Sequence, residues 1–137
     1  MGLILDSSVI IAAERQRETP SQLMRHIATL AGDQDVAIST IGLTEIVHAI
    51  YRAPSIPMQL RRQAFIHDLL AYVDVLPYTR STAWLAGKID GEQRFAGVTI
   101  PSMNLLIGAT ALEAGYAIVT ANVRHFQLIP DLKVVAL

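Results

Sequence analysis

The chain has 137 residues, 52% hydrophobic and 17% charged, with a formal net charge of −1 and no cysteine. That length suits one domain spanning residues 1–137 with a real core, and the charge balance excludes a polyanion binder working through bulk charge, although local basic patches can still follow a phosphate backbone. Disulfides, thiolate nucleophiles and cysteine-held zinc sites are excluded outright.

In chain order, Leu3-Ile4-Leu5 predicts a short buried strand, and Val9 to Arg15 a helix whose start is capped by Ser7 or Ser8. Thr19-Pro20 reads as a cap followed by proline in the first turn of a second helix, whose Leu23, Ile27 and Leu30 recur at helical spacing up to Gly32. Val36 to Ser39 is the next strand. Ile41 to Arg52 is expected to be helical and to stop near Pro54, and Pro57 opens a helix carrying Leu60, Ala64, Leu69 and Leu70. A third strand over Val73 to Leu76 precedes a helix from Ser81 to Phe95 and a loop from Gly97 to Pro101-Ser102. Leu105 to Ala114 is nearly all apolar and closes at Gly115, the pattern of a buried helix with a glycine terminator; its Leu105, Ile107, Ala109 and Leu112 are core. Ala117 to Thr120, a helical turn over Val123 to Gln127, and a last strand over Lys133 to Ala136 complete the chain. Short apolar strands alternating with helices predict an α/β fold, a central mostly parallel five-stranded sheet flanked by helices.

One acid interrupts the first apolar run, in Leu5-Asp6-Ser7. A carboxylate between buried segments needs a cation, a set of hydrogen-bond donors or a metal to offset its lost solvation, or else it caps the helix that follows. Three more segments place an acid or amide among apolar residues: Thr44-Glu45-Ile46, Met103-Asn104-Leu105 and Ala121-Asn122. Oxygen donors of this kind suit a hard divalent cation, Mg2+ or Mn2+. Asp6 ends the first strand and Asn122 follows the fourth, so both are expected at the carboxyl edge of the sheet, where ligands gather.

These segments, LILDSSVIIAAER, TEIVHA, IPSMNLLIGATAL and IVTANVRHFQLIP, occur in an order and spacing that resembles a PIN domain of the VapC toxin type over the whole chain. The resemblance implies a PIN-like three-layer fold and a pocket in which Asp6, Glu45, Asn104 and Asn122 hold one or two Mg2+ or Mn2+ ions that activate water to cut RNA. It implies that Ser8 and Thr120 orient these ligands. The sequence departs from the pattern at Asn104, where the family normally carries aspartate; that departure keeps open an attenuated module that binds antitoxin or RNA without efficient cleavage. His48, three residues after Glu45, reads as a neighbour rather than a ligand, and His26 and His67 as surface residues. His125 matches a family feature with a packing or RNA role. Asp90 and Glu92 read as a solvated face within reach of the pocket rim, and Arg15, Arg94 and Arg124 as candidate phosphate contacts.

Arginine supplies all but Lys88 and Lys133 of the eleven basic residues, which favours bidentate phosphate or carboxylate contacts. The high apolar fraction, with no run of about 18 apolar residues to span a membrane, suggests surface kept for a partner. A VapB-type antitoxin, a second copy and an RNA substrate are the partners expected, in the cytoplasm. Phosphatase and receiver readings fail because Ser-Ser follows Asp6 and no paired acids precede it, and no G-x-G-x-x-G follows a strand.

Overall fold

The computed structural model describes residues 1–137. The elements run β1 (Gly2–Leu5), α1 (Ser7–Arg15), α2 (Pro20–Ala31), β2 (Asp35–Ser39), α3 (Thr40–Tyr51), α4 (Ile56–Leu69), β3 (Asp74–Leu76), α5 (Arg80–Phe95), α6 (Ser102–Ala114), β4 (Ala117–Thr120), α7 (Val123–Phe126) and β5 (Val134–Ala136). The five strands form one sheet in the order β3-β2-β1-β4-β5, and every pairing is parallel. The chain thus begins mid-sheet, winds outward through β2 and β3, then returns across the sheet to β4 and β5. Parallel crossovers are right-handed, so this reversal sends the helices before and after it to opposite faces.

Strand alternation shows the two faces directly. Leu3 and Leu5 of β1 pack with Val9 of α1, Ile27 of α2, Ile46 of α3 and Leu69 of α4. Ile4, between them, packs with Ile89 of α5, Ile107 of α6 and Phe126 of α7. β4 repeats the pattern, with Ala117 and Val119 on the first face and Ile118 on the second. Both faces being covered is why these strands read as unbroken apolar runs rather than alternating ones.

The helix boundaries differ from the sequence expectation in two informative places. α6 starts at Ser102 rather than Leu105, because apolar periodicity marks only the part inside the core, whereas Ser102 and Met103 in its first turn are exposed. The N-cap of α1 is Asp6, not Ser7 or Ser8, and its side chain makes no capping bond. Gly115 does terminate α6, at a φ of 72° in the left-handed region that glycine reaches without a Cβ penalty.

Candidate metal centre

In an open parallel sheet, the crevice lies where neighbouring crossovers leave in opposite directions, beyond the carboxyl ends of the strands. Here that point falls between β1 and β4. Asp6 follows β1 directly; its backbone N–H still donates to the Val119 carbonyl at 2.9 Å, and only 4% of the residue is exposed. Two hydroxyls converge on one carboxylate oxygen: Ser8 Oγ donates to Oδ2 at 2.7 Å and Thr120 Oγ1 at 2.8 Å. This explains the missing cap, since the carboxylate is turned toward β4 instead of back over the first turn of α1. Both hydroxyls also accept backbone bonds from the loop after β4, Thr120 Oγ1 from the Asn122 N–H at 2.8 Å and Ser8 Oγ from the Ala121 N–H at 3.2 Å. Asp6 Oδ1 takes none of these bonds and is not sealed from solvent.

Glu45 arrives from the other side. α3 begins at once after β2, and the Ser39 hydroxyl caps it by accepting the Gly42 N–H at 2.8 Å, which fixes the rotation that carries Glu45. Ser7 Oγ donates to Glu45 Oε1 at 2.9 Å. Burial pushes the Glu45 carboxyl above its ordinary range; the Ser7 hydrogen bond pulls it back, and the charge of Asp6 pushes it up further. The ion pairs of the chain lie elsewhere, joining Glu14 to Arg61 and Arg62, Lys88 to Glu92, and Arg94 to Asp90. Asp6 and Glu45 therefore share a site held by hydroxyl donors but without a cationic side chain.

Asn122 is the N-cap of α7, and its Nδ2 lies 2.8 Å from His125 Nδ1. Asp6, Ser8, Thr120 and Asn122 form one hydrogen-bonded network, and Glu45 joins through Ser7, the neighbour of Asp6 in sequence. Asn104 stands half-buried in the first turn of α6, a helix that packs against α3, and lies outside this network. Nowhere do three or more Asp, Glu or His side chains gather. Asp90 and Glu92 do not join Asp6 and Glu45 in a group of three acids; each pairs instead with a cation one turn away on α5, Arg94 and Lys88. His26, His48 and His67 are exposed on their helices, and Arg15 and Arg124 are exposed cations.

Ser7 escaped the sequence reading, which selected Ser8 and Thr120. Its signal was partial: two adjacent hydroxyls at a helix start point about 100° apart, so they face different neighbours, but the sequence does not say which. The donors that the structure brings together are oxygen alone: two carboxylates free of cationic partners and the amide of Asn122, with Asn104 outside their network. Such a set fits a hard divalent cation, with two formal charges rather than three.

The family model for the PIN domain matches residues 3–131. The chain is 31% identical over 134 residues to Ribonuclease VapC1 of Rickettsia felis, covering 98% of this chain and 95% of that protein. It is 35% identical over 136 residues to Ribonuclease VapC of Rickettsia bellii, with the same coverage of 98% and 95%. Among solved structures, VapBC2 from Rickettsia felis bound to a DNA fragment of its promoter superposes with a TM-score of 0.86 at 21% identity, covering 100% of this chain and 99% of that one. DNA-bound VapBC from Salmonella typhimurium gives 0.83 at 22% identity, covering 99% and 98%.

Proposed function

The chain belongs to the PIN domain family, and from that premise we propose that it is a metal-dependent endoribonuclease of the VapC kind, the toxin of a toxin–antitoxin pair, acting in the cytoplasm. The observation that carries the reading is Asp6, whose Oδ2 is fixed by two hydroxyls while Oδ1 is left free beside a second carboxylate, at the switch point of the sheet. Asp6, Glu45, Asn104 and Asn122 would hold Mg2+ or Mn2+. When bound, the ion would supply an activated water and offset charge at the scissile phosphodiester.

The rest falls to the side chains of this protein. Ser8 and Thr120 keep the Asp6 carboxylate from rotating, and Ser7 does the same for Glu45, so the oxygens facing the cleft need no reorganisation when phosphate arrives. Arg124, exposed two residues beyond Asn122, is placed to meet a backbone phosphate, and Arg15 at the end of α1 is a second candidate. The antitoxin would lie over the seam between α1, α3 and α4, where Ile11 and Ala49 are half-buried above the core residues Ile10, Ile46 and Ile50. α3 also carries Glu45 and exposes Val47 and Tyr51, so a segment seated there could reach the carboxylates with a basic side chain. A homodimer belongs to the same proposal.

The test uses the purified chain with single-stranded RNA, Mn2+ and a chelator control, beside Asp6→Ala and Glu45→Ala. Cleavage that needs Mn2+ and disappears in both variants is expected, together with loss of Mn2+ heat in calorimetry and an intact fold. Unchanged metal affinity in both variants would refute the site. A second reading, a module that binds antitoxin or RNA with little cleavage, is favoured by the neutral Asn104; metal binding and antitoxin binding without cleavage would establish it. Light scattering of the chain alone and with a VapB-type antitoxin tests the partners. A monodisperse monomer that ignores the partner would count against both.

A further inference from the structure

We propose that His125 is a positioning residue for Asn122, accepting a hydrogen bond at an unprotonated Nδ1 and thereby fixing which end of the amide faces the cleft; this rests on the reading of Asn122 as a metal ligand. Asn122 Nδ2 and His125 Nδ1 are 2.8 Å apart. In this contact the amide nitrogen can only donate, so the ring nitrogen must present its lone pair and the ring proton must sit on Nε2. The reverse arrangement, with Nδ1–H donating to Oδ1, turns the amide over and presents an NH2 group where the free oxygen had been. An NH2 group cannot ligate a cation. The two states of the pair thus correspond to a ligating and a non-ligating Asn122.

The amide oxygen makes no hydrogen bond within the protein. Asn122 is the N-cap of α7 but makes no capping bond, its backbone lying at φ −112° and ψ 59°, outside the extended region of an ordinary cap. Its side chain instead meets the ring of the residue at N3, His125. Neither partner drifts: the Asn122 N–H is tied to Thr120 Oγ1 at 2.8 Å, and Phe126, the neighbour of His125, is 0% exposed and anchors α7 in the second core. The spacing is therefore set by one helical turn rather than by two loose side chains. His125 does not touch the cation in this proposal. It acts through Asn122, as outer partners of metal ligands do.

The experiment has a metal-free and a metal-bound arm. In metal-free protein labelled with 15N at histidine, His125 is expected as the Nε2–H tautomer; an Nδ1–H tautomer overturns the proposal. In Mn2+ titration calorimetry, His125→Ala should weaken binding about tenfold, at the low end of the range for outer partners of a ligand. His125→Asn, which can offer an acceptor oxygen near the Nδ1 position, should recover most of it. Adding His125→Ala to Asn122→Ala should cost nothing more. If Asn122→Ala leaves Mn2+ affinity unchanged, the ligand reading beneath the proposal fails. If Asn122→Ala weakens binding but His125→Ala does not, positioning by His125 fails and the ligand reading stands.

Discussion

Thr120→Val tests whether the hydroxyl pair is what makes a buried carboxylate tolerable at the end of β1. The substitution keeps the shape of a residue that is 0% exposed and removes an oxygen that both donates to Asp6 Oδ2 and accepts from the Asn122 N–H, each at 2.8 Å. A hydrogen bond to a charged group contributes about 1.5–3 kcal/mol, and orphaning a buried N–H costs about 1–3 kcal/mol. Asn122 is only half-buried, so water can reach its N–H and that second cost falls to the low end. Ser8 still donates to Oδ2 at 2.7 Å, which limits the first. A net loss of about 2–4 kcal/mol follows, a large part of the roughly 5–15 kcal/mol by which domains are stable. Urea unfolding in chelator should show it as a lower midpoint with unchanged slope, while Thr120→Ser, which keeps the oxygen, should retain most of the stability. In an Asp6→Ala background the cost of Thr120→Val should shrink by about 1.5 kcal/mol or more, the part owed to the carboxylate. A Thr120→Val protein within about 0.5 kcal/mol of the parent, the spread of ordinary surface changes, would refute the reasoning.

Glu45→Gln should make the metal-free protein more stable at neutral pH: because the folded-state carboxyl titrates above its ordinary value, stability falls as pH rises from that value through the folded one. The gain should vanish in thermal melts at pH low enough to protonate both states. Asn104→Asp should tighten Mn2+ binding about tenfold to a hundredfold, the equivalent of roughly 1–3 kcal/mol from one restored charge, raise RNA cleavage and make expression without antitoxin toxic; no change in affinity would separate Asn104 from the site. Arg62→Ala leaves Glu14, 7% exposed, without the guanidinium that donates to its Oε1 at 3.1 Å, and should cost about 3–5 kcal/mol in denaturant unfolding. A loss below about 1 kcal/mol, the scale of a surface ion pair, would mean that Arg61 takes over.

Much of the architecture was legible because the strands carry no polar residue between their two ends and the helices announce themselves by caps: Thr19 with Gln22, Ser39, Ser55 and Gly115 all act as their types suggest. What the sequence could not display was direction. Nothing in Asp6-Ser7-Ser8 says that Ser8 serves Asp6 while Ser7 turns to Glu45, since that depends on α3 lying against α1, a contact across 38 residues. The same holds for Asp90 and Glu92, whose carboxylates looked available until α5 put Arg94 and Lys88 one turn away. Asn104 was visible as a departure from a pattern; its place in the exposed first turn of α6 was hidden, because periodicity is silent where a helix leaves the core.

The return of the chain across the sheet also has a consequence in time. The hydroxyl that secures Asp6 lies 114 residues downstream of it, on the fourth of five strands. During synthesis the two carboxylates are made early, yet β1 lacks its β4 neighbour, and Asp6 one of its two donors, until most of the polypeptide exists. Contacts between such distant parts form late and slowly, because the intervening loop must be closed before they contribute. A chain interrupted anywhere between Glu45 and Ala117 carries both acids but not the strand that aligns the first of them. For the nuclease proposed above, which would be made in the company of RNA, the fold would postpone the complete site until β4 has been made.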